Sequence, residues 1–217
     1  MLFDFGKIPP REGYKLLVST VTPRPIAWIS SQNPDGQLNA APFSFFNVFA
    51  GDPAVVGIGI GSHEPGRAKD TRRNIRETKE FVVNLVSEDT AEAMNVTAIE
   101  FEPGVNEIAE AELETIPSVY VKPPRIAASP VSMECALMQI VDLGPDNGLV
   151  IGRVLVIHVR DDMVLDPAKN YIDTPKLKLI GRMHGTGWYA RTSDLFKMDR
   201  IPRAEWTLRA DEAASKV

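Results

Sequence analysis

TPRPIAWISSQNPDGQLNAAPFSFFN fills residues 22–47. Two apolar runs, 26–30 and 40–46, flank Pro34-Asp35-Gly36. Proline fixes φ and glycine tolerates positive φ, so this punctuation between apolar runs predicts strand, turn, strand. The unit opens on a rigid basic corner, Pro23-Arg24-Pro25. It closes on a track of small and aromatic residues, Ala40-Ala41-Pro42-Phe43-Ser44-Phe45-Phe46. Pro42 has no N–H, so the second strand is expected at a sheet edge or irregular there. Neighbouring backbone N–H groups are then free to face a ligand, and the small residues let a flat ring approach. At least one of Phe43, Phe45 and Phe46 is expected simply to pack.

Before this unit, residues 1–21 read as an extension with a helical turn around 13–19, set off by Pro9-Pro10. After it, 54–62 reads as a strand with β-branched residues at 56, 58 and 60 and glycines at 57, 59 and 61. Side chains of a strand alternate faces, so one face is nearly bare backbone. Two explanations stand: a tightly curved strand whose glycines relieve crowding, or close approach of a ligand, strand or subunit. The glycines do not form a dinucleotide fingerprint, and Arg67-Ala68 stands where a P-loop needs Lys-Ser/Thr.

A turn at Glu64-Pro65-Gly66 leads to a short helix over 70–78, with Asp70 as its N-cap. Arg67 and Lys69 precede it, and Arg72 and Arg73 lie in its first turn. Cations are unfavourable at a helix start, and an anion reverses that. The bland alternative is a solvated basic face; the sharper one is a phosphate on the free N–H groups.

A strand follows at 80–86, then a helix capped by Ser87 and running to about 98, then an acidic excursion at 101–118 read as loop plus short helix. Further strands are expected at 119–125 and 130–143. Asp146-Asn147-Gly148 signals a type I′ hairpin into a long strand at 149–160. His158 in that strand reads as a hydrogen-bonded core residue. Segment 181–191 is glycine-rich and aromatic, a composition common in ligand-binding loops. The whole reads as mainly β with peripheral helices, one domain over 1–217 with an N-terminal extension (1–21) and a polar C-terminal tail (201–217).

A net charge of −5 gives no nucleic-acid footprint. The lone cysteine, Cys135, has no disulfide partner within the chain, which fits a reducing, cytoplasmic location. No secretory signal and no apolar run near the ~20 residues of a membrane span is expected to act here. There is no G-x-S-x-G elbow, no metal spacing among His63, His158 and His184, and no CxxC pair. A cofactor that carries the chemistry itself fits such a chain.

Residues 24–47 resemble the FMN-binding split-barrel family of flavin reductase-like proteins, whose pattern is RPIAW[IV]S…G…N.APFSFFN. The similarity resumes at Lys69-Asp70-Thr71, Asn74-Ile75 and Glu80-Phe81-Val82-Val83-Asn84, and continues more weakly through 129–134 and 181–191. The resemblance implies a split β-barrel, bound FMN, hydride from NADH or NADPH, and a flavin, a partner monooxygenase or another acceptor. It implies a homodimer with flavin near the interface; the charge, apolar runs and ligand spacing already argue against nucleic acid, membrane and metal as partners. Carried onto this chain, Arg24, Pro25 and Ala40, Ala41, Pro42, Phe43, Ser44 and Phe45 border the ring. Asn39 and Ser44 bond ring or ribityl atoms. Ser62, Arg67, Lys69, Thr71 and Asn74 hold the ribityl chain and phosphate, with Asp70 orienting amides. No catalytic acid or base is assigned. An electron carrier of the flavoredoxin type and a redox-silent phosphate-ligand module are the competing readings.

Overall fold

The computed structural model describes residues 1–64, 67–102, 104–144, 146–203 and 206, apart from the side chains of 63, 64 and 67. The expected turn at 64–66, the Arg67 side chain and the tail beyond 206 lie outside the described residues.

The chain opens with helix α1 (Pro10–Thr20), longer than the expected turn. Pro10 starts this helix rather than setting it apart. A proline in the first turn has no N–H to waste and brings a helical φ. Strands β1 (Ala27–Gln32) and β2 (Leu38–Phe43) form the expected hairpin, with Gly36 at φ +86° in its turn. Strands β3 (Phe46–Gly51) and β4 (Ala54–Ile60) follow, then helix α2 (Asp70–Thr78) and strand β5 (Glu80–Leu85). Helices α3 (Ala91–Val96) and α4 (Glu107–Glu110) precede the long strands β6 (Val131–Asp142) and β7 (Gly148–Val159). Strands β8 (Ile180–Arg182) and β9 (Tyr189–Arg191) make a late hairpin.

Seven antiparallel strands form one sheet in the order β2-β1-β5-β6-β7-β4-β3. Its two edges, β2 and β3, are consecutive in the chain and separated only by Ser44 and Phe45. A flat sheet of seven strands sets its edges ~28 Å apart at the usual 4.7–4.9 Å spacing, too far for two residues to bridge. The sheet therefore curls until β2 and β3 meet, and Gly59 N donates to Phe45 O at 2.7 Å, carrying the β3–β4 ladder into the two-residue link. This is the split β-barrel.

One face of each of the seven sheet strands fills the barrel. Ala27, Ile29, Ile58, Phe81, Val83 and Val150 are all fully buried there, joined by Ile75 of α2. The alternate face of β1 packs outward instead, with Trp28 against Met94 of α3 and its indole N–H on Thr97 Oγ1 at 2.9 Å. Alternation along a strand thus feeds two cores at once.

Three expectations need correcting. Segment 119–125 is not a strand. Only Thr115–Ile116 and Arg125–Ile126 pair there. Prolines 117, 123 and 124 deny it ladder donors. The amides of Val119, Tyr120 and Val121 go instead to the Glu134 carboxylate at 2.8, 2.6 and 3.3 Å. Glu134 is fully buried, and His158 Nε2 lies 2.7 Å from its Oε1. His158 is therefore the hydrogen-bonded residue expected. Second, the β6–β7 bend is not an Asn147-Gly148 turn. Gly148 already pairs with Asp142, Leu143 N donates to Asn147 O, and the positive φ falls at Gly144. Third, the N-cap of α2 is Lys69, in extended conformation, and Asp70 is the first helical residue.

Candidate functional site

Three cavities lie in a row along the seam where the barrel closes. The middle one holds about 650 Å³, within the usual ~300–1,000 Å³ of a small-molecule site. Its walls are the end of β2 (Pro42–Phe45), the end of β4 with Gly61 and Ser62, and Asn147-Gly148 from the β6–β7 bend. Lys69 closes one end, and Tyr14 of α1 leans over Phe45 with ring centroids 6.2 Å apart. A second cavity of about 160 Å³ shares Pro42 and Lys69 and adds Asn39, Ala41, Asp70 and Thr71. A third, of about 300 Å³, shares Ser44 and Phe45 and adds Arg24 and Pro25.

Most of the expected ligand residues thus meet along one line, but their side chains do different things. β2 is a sheet edge, as Pro42 implied. Its neighbouring N–H is not free, however: Ala40 N donates to Glu107 Oε2 at 3.1 Å. Burial pushes the Glu107 carboxyl up, and Asp70 adds to that against the two backbone hydrogen bonds. The Arg24 guanidinium does not open onto the middle cavity. It donates to the carbonyls of Val18, Val21 and Met183 at 2.7, 2.8 and 2.9 Å, and weakly to Ser44 Oγ at 3.4 Å. Asn39 Nδ2 donates to the buried Thr71 Oγ1 at 2.9 Å. Asn74 lies behind the site, 3% exposed, with Nδ2 on Ser31 Oγ at 3.3 Å. Asp70 pairs with Arg73 at 3.0 Å.

The glycine face of β4 is divided. A Cβ at Gly57 would sit 2.5 Å from the Phe49 ring, and one at Gly59 3.0 Å from Phe45 Cβ. The chain's own aromatics occupy that face, which supports the crowding explanation. Further along, Gly61 and Gly148 floor the middle cavity. A Cβ would stand 3.3 Å from Asn147 Oδ1 at Gly61 and 3.0 Å from Arg72 Nη1 at Gly148. At both positions a Cβ would crowd the chain's own side chains, so bare backbone lines this wall.

The other end is cationic. Lys69 Nζ lies 5.8 Å from the Phe43 ring centroid, and burial lowers its pKa, with the charge of Glu100 opposing. The α2 N-terminus begins beside it. Ser62 Oγ donates to Asp146 O at 2.8 Å and accepts from Arg72 Nη2 at 3.4 Å. A long glycine-floored groove with apolar backbone at one end and buried positive charge at the other suits a flat ring carrying an anionic tail. The residues present therefore fit a flavin mononucleotide.

A family model described as a flavin reductase like domain matches residues 19–174. The chain belongs to this family. An uncharacterised protein from Deinococcus radiodurans is 39% identical over 94% of this chain and 91% of its own. Component B of nitrilotriacetate monooxygenase from Bacillus cereus is 33% identical with a TM-score of 0.86, covering 91% of this chain and 98% of its own. The 2-nitrobenzoate 2-nitroreductase NbaA of Pseudomonas fluorescens is 31% identical with a TM-score of 0.85, covering 94% and 97%.

Sequence reasoning passed over four elements of this flavin reductase-like site. Tyr14 was hidden in what read as an extension, and Asn147-Gly148 in what read as a turn. Glu107 fell in an acidic excursion read as loop plus short helix, with no ligand role. Arg72 was noted as basic but not as buried, since nothing in the sequence shows that α2 turns Thr71, Arg72, Asn74 and Ile75 inward.

Proposed function

We propose that this protein is an FMN-binding oxidoreductase that takes hydride from NADH or NADPH and delivers the electrons to free flavin, a partner monooxygenase or another acceptor. The observation that carries this reading is the seam groove, with its glycine floor and its one cationic end. Pro42–Phe45 and Gly61 supply the backbone against which the ring lies. Ser62, Lys69 and the first amides of α2 hold the phosphate, and Arg67 is assigned with them. Asn39 and Thr71 fix the wall between the two by their mutual hydrogen bond. Arg24 holds α1 and the β8–β9 hairpin in place, and α1 brings Tyr14 to the rim. Bound FMN supplies the two-electron chemistry, so the chain needs no acid–base pair of its own. That agrees with the inert setting of its buried groups: burial raises the Cys135 thiol to about 12, and Glu134 and His158 serve each other.

The acceptor is drawn from the relatives. A monooxygenase component and a nitroreductase share this fold at more than 30% identity, so an oxygenase partner and a nitroaromatic acid are the acceptors to try first. We also infer a homodimer. Val48 and Phe49 on edge strand β3 are 63% and 66% exposed, an apolar edge that a second chain would cover. No helix among the described residues is long and apolar enough to cross a membrane, and a cytoplasmic location completes the reading.

The test is anaerobic stopped-flow mixing of the FMN-loaded protein with NADH and with NADPH, following the loss of flavin absorbance. Reduction faster than that of free FMN supports the enzyme. Flavin that binds but is reduced by neither nucleotide faster than in solution points to an electron carrier. A colourless protein that takes up no FMN defeats both.

A further inference from the structure

Helix α2 carries three arginines, and their pairing is the reverse of what exposure requires. Arg73 pairs with Asp70 at 3.0 Å with its side chain 46% exposed. Arg76 lies 3.6 Å from Asp142 with its side chain 55% exposed. Arg72 is 6% exposed, and no carboxylate among the described residues forms an ion pair with it. Among the described residues its one hydrogen bond is the long one to Ser62 Oγ, and its Nε has no partner there. Exposed cations need no partner; a buried one does, because taking a charge out of water is unfavourable unless an opposite charge replaces the solvent. Arg72 also sits in the first turn of its helix, where the free amides repel a cation. Two unfavourable effects act on one side chain, and both are relieved by an anion.

The place for that anion is also given. Arg72 stands behind the wall of the middle cavity formed by Ser62 and Gly148. Its Nη2 reaches Ser62 Oγ, and its Nη1 lies where only the missing Cβ of Gly148 leaves room. We propose that Arg72 is the buried counter-charge of the ligand's terminal phosphate, and that it makes the site select a phosphomonoester, FMN, over riboflavin and over the diester-linked FAD. It acts through Ser62 and through its field, as a positioning residue rather than a catalytic one. A phosphomonoester carries nearly two negative charges on one phosphorus at neutral pH. In FAD each phosphoryl group carries one, so the charge that Arg72 adds beside one phosphorus favours FMN. This inference rests on the flavin reading above.

The experiment is titration of the wild-type protein, Arg72→Met and Arg72→Lys with FMN, FAD and riboflavin, read by flavin fluorescence. Wild type is expected to bind FMN at least tenfold tighter than riboflavin. Arg72→Met keeps the apolar stem and loses the charge. It should weaken FMN at least tenfold, FAD less, and riboflavin by no more than twofold. Riboflavin binding then also shows that the groove is intact. Arg72→Lys should recover most of the FMN affinity. Equal losses for FMN and riboflavin, or no loss for FMN, would overturn the inference and leave the flavin reading standing. An FAD loss as large as that for FMN would overturn the monoester preference. Should Arg72→Met not fold, wild type binding FMN and riboflavin equally, or Arg72→Lys losing FMN and riboflavin alike, would overturn the inference by itself. Wild type that binds no flavin at all would defeat the flavin reading and this one together.

Discussion

Replacing Arg24 by methionine separates two roles for a residue that the family resemblance sets at the ring. In the structure its guanidinium donates to the carbonyls of Val18, Val21 and Met183. Val18 and Val21 stand at the C-terminal end of α1, where the last carbonyls have no helical partner and the dipole favours a cation. Met183 follows β8, whose Arg182 exchanges both backbone hydrogen bonds with Arg24 itself. One side chain thus ties the first helix and the last hairpin to the barrel. Burial lowers its pKa, and Tyr14 and Arg182 act on it with opposite signs.

Hydrogen bonds to charged groups contribute ~1.5–3 kcal/mol each. Here the lower end applies, because the α1 terminus is close to water; Leu17 and Val21 are 46% and 59% exposed. Released carbonyls can rehydrate. Allowing about 1 kcal/mol per bond, three bonds give a loss of about 3 kcal/mol. With a urea m-value near 3 kcal/mol/M, at the upper end for small proteins, the midpoint falls by about 1 M. Flavin affinity should fall only a few-fold, through looser seating of Tyr14 over Phe45. Urea unfolding followed by far-UV dichroism, with FMN titration of the same variant, measures both. A stability change under about 0.5 kcal/mol together with a large drop in FMN affinity would show that the guanidinium serves the ligand and that the anchoring argument is wrong.

Cys135 is fully buried with its thiol pushed to about 12, so a disulfide reagent at pH 8 should titrate one equivalent after denaturation and almost none before it; fast native labelling would contradict the packing. For Glu134, burial alone raises the carboxyl, but the amides of Val119 and Tyr120 and then His158 outweigh it and hold it below its ordinary 4.5. A lowered folded value means that its stabilisation is complete above the unfolded value and disappears as pH falls through the folded one. Glu134→Gln should therefore lose about 3 kcal/mol at pH 7 and flatten the decline of stability below pH 4.5, as seen in urea melts across pH; an unchanged acid limb would remove Glu134 from the account. Gly152→Ala should lose about 1–3 kcal/mol, because its Cβ would run into Cζ of the fully buried Phe81, and Phe81→Leu in the same chain should recover part of it. Additive losses in the double variant would show that the two residues do not meet.

What could be read from the sequence was local. Pro34-Asp35-Gly36 between apolar runs marked the β1–β2 hairpin, and Pro42 marked an edge, because each effect lies in one residue's own backbone. The signal at Asn147-Gly148 located a hairpin but misplaced its bend, since Gly144 offered the same freedom three residues earlier. Segment 119–125 looked extended but bends instead, and its amides go to a carboxylate on a strand ten or more residues later. No local pattern carries that partner. The largest blind spot was α2. A helix reading DTRRNIRET has one apolar residue, Ile75, and every rule of amphipathicity puts its arginines in water. Only the tertiary structure shows Arg72 turned inward beside Ser62 and Gly148.

The site follows from the closure of the barrel rather than from any motif in isolation. Because β2 and β3 are successive in the chain yet lie at opposite edges, two residues must carry the backbone around the seam. There Ser44 leaves the ladder, Phe45 keeps one bond to Gly59, and the glycines of β4 give Phe45 and Phe49 room. The seam is thus a place where backbone faces a cavity without side chains in the way. Polar ends are added from elements that arrive later: the α2 N-terminus with Lys69, Ser62 at the end of β4, and the β6–β7 bend. A ligand held there contacts segments spread over more than a hundred residues, from Pro42 to Gly148. Binding should accordingly stabilise the folded state against global unfolding, not merely order one loop. FMN at a hundred times its Kd should add about 2.7 kcal/mol to the stability measured in urea. The full increment must appear in a single cooperative transition. A second transition, with only part of the protein protected, would mean that the seam and the α2 end do not close around one ligand.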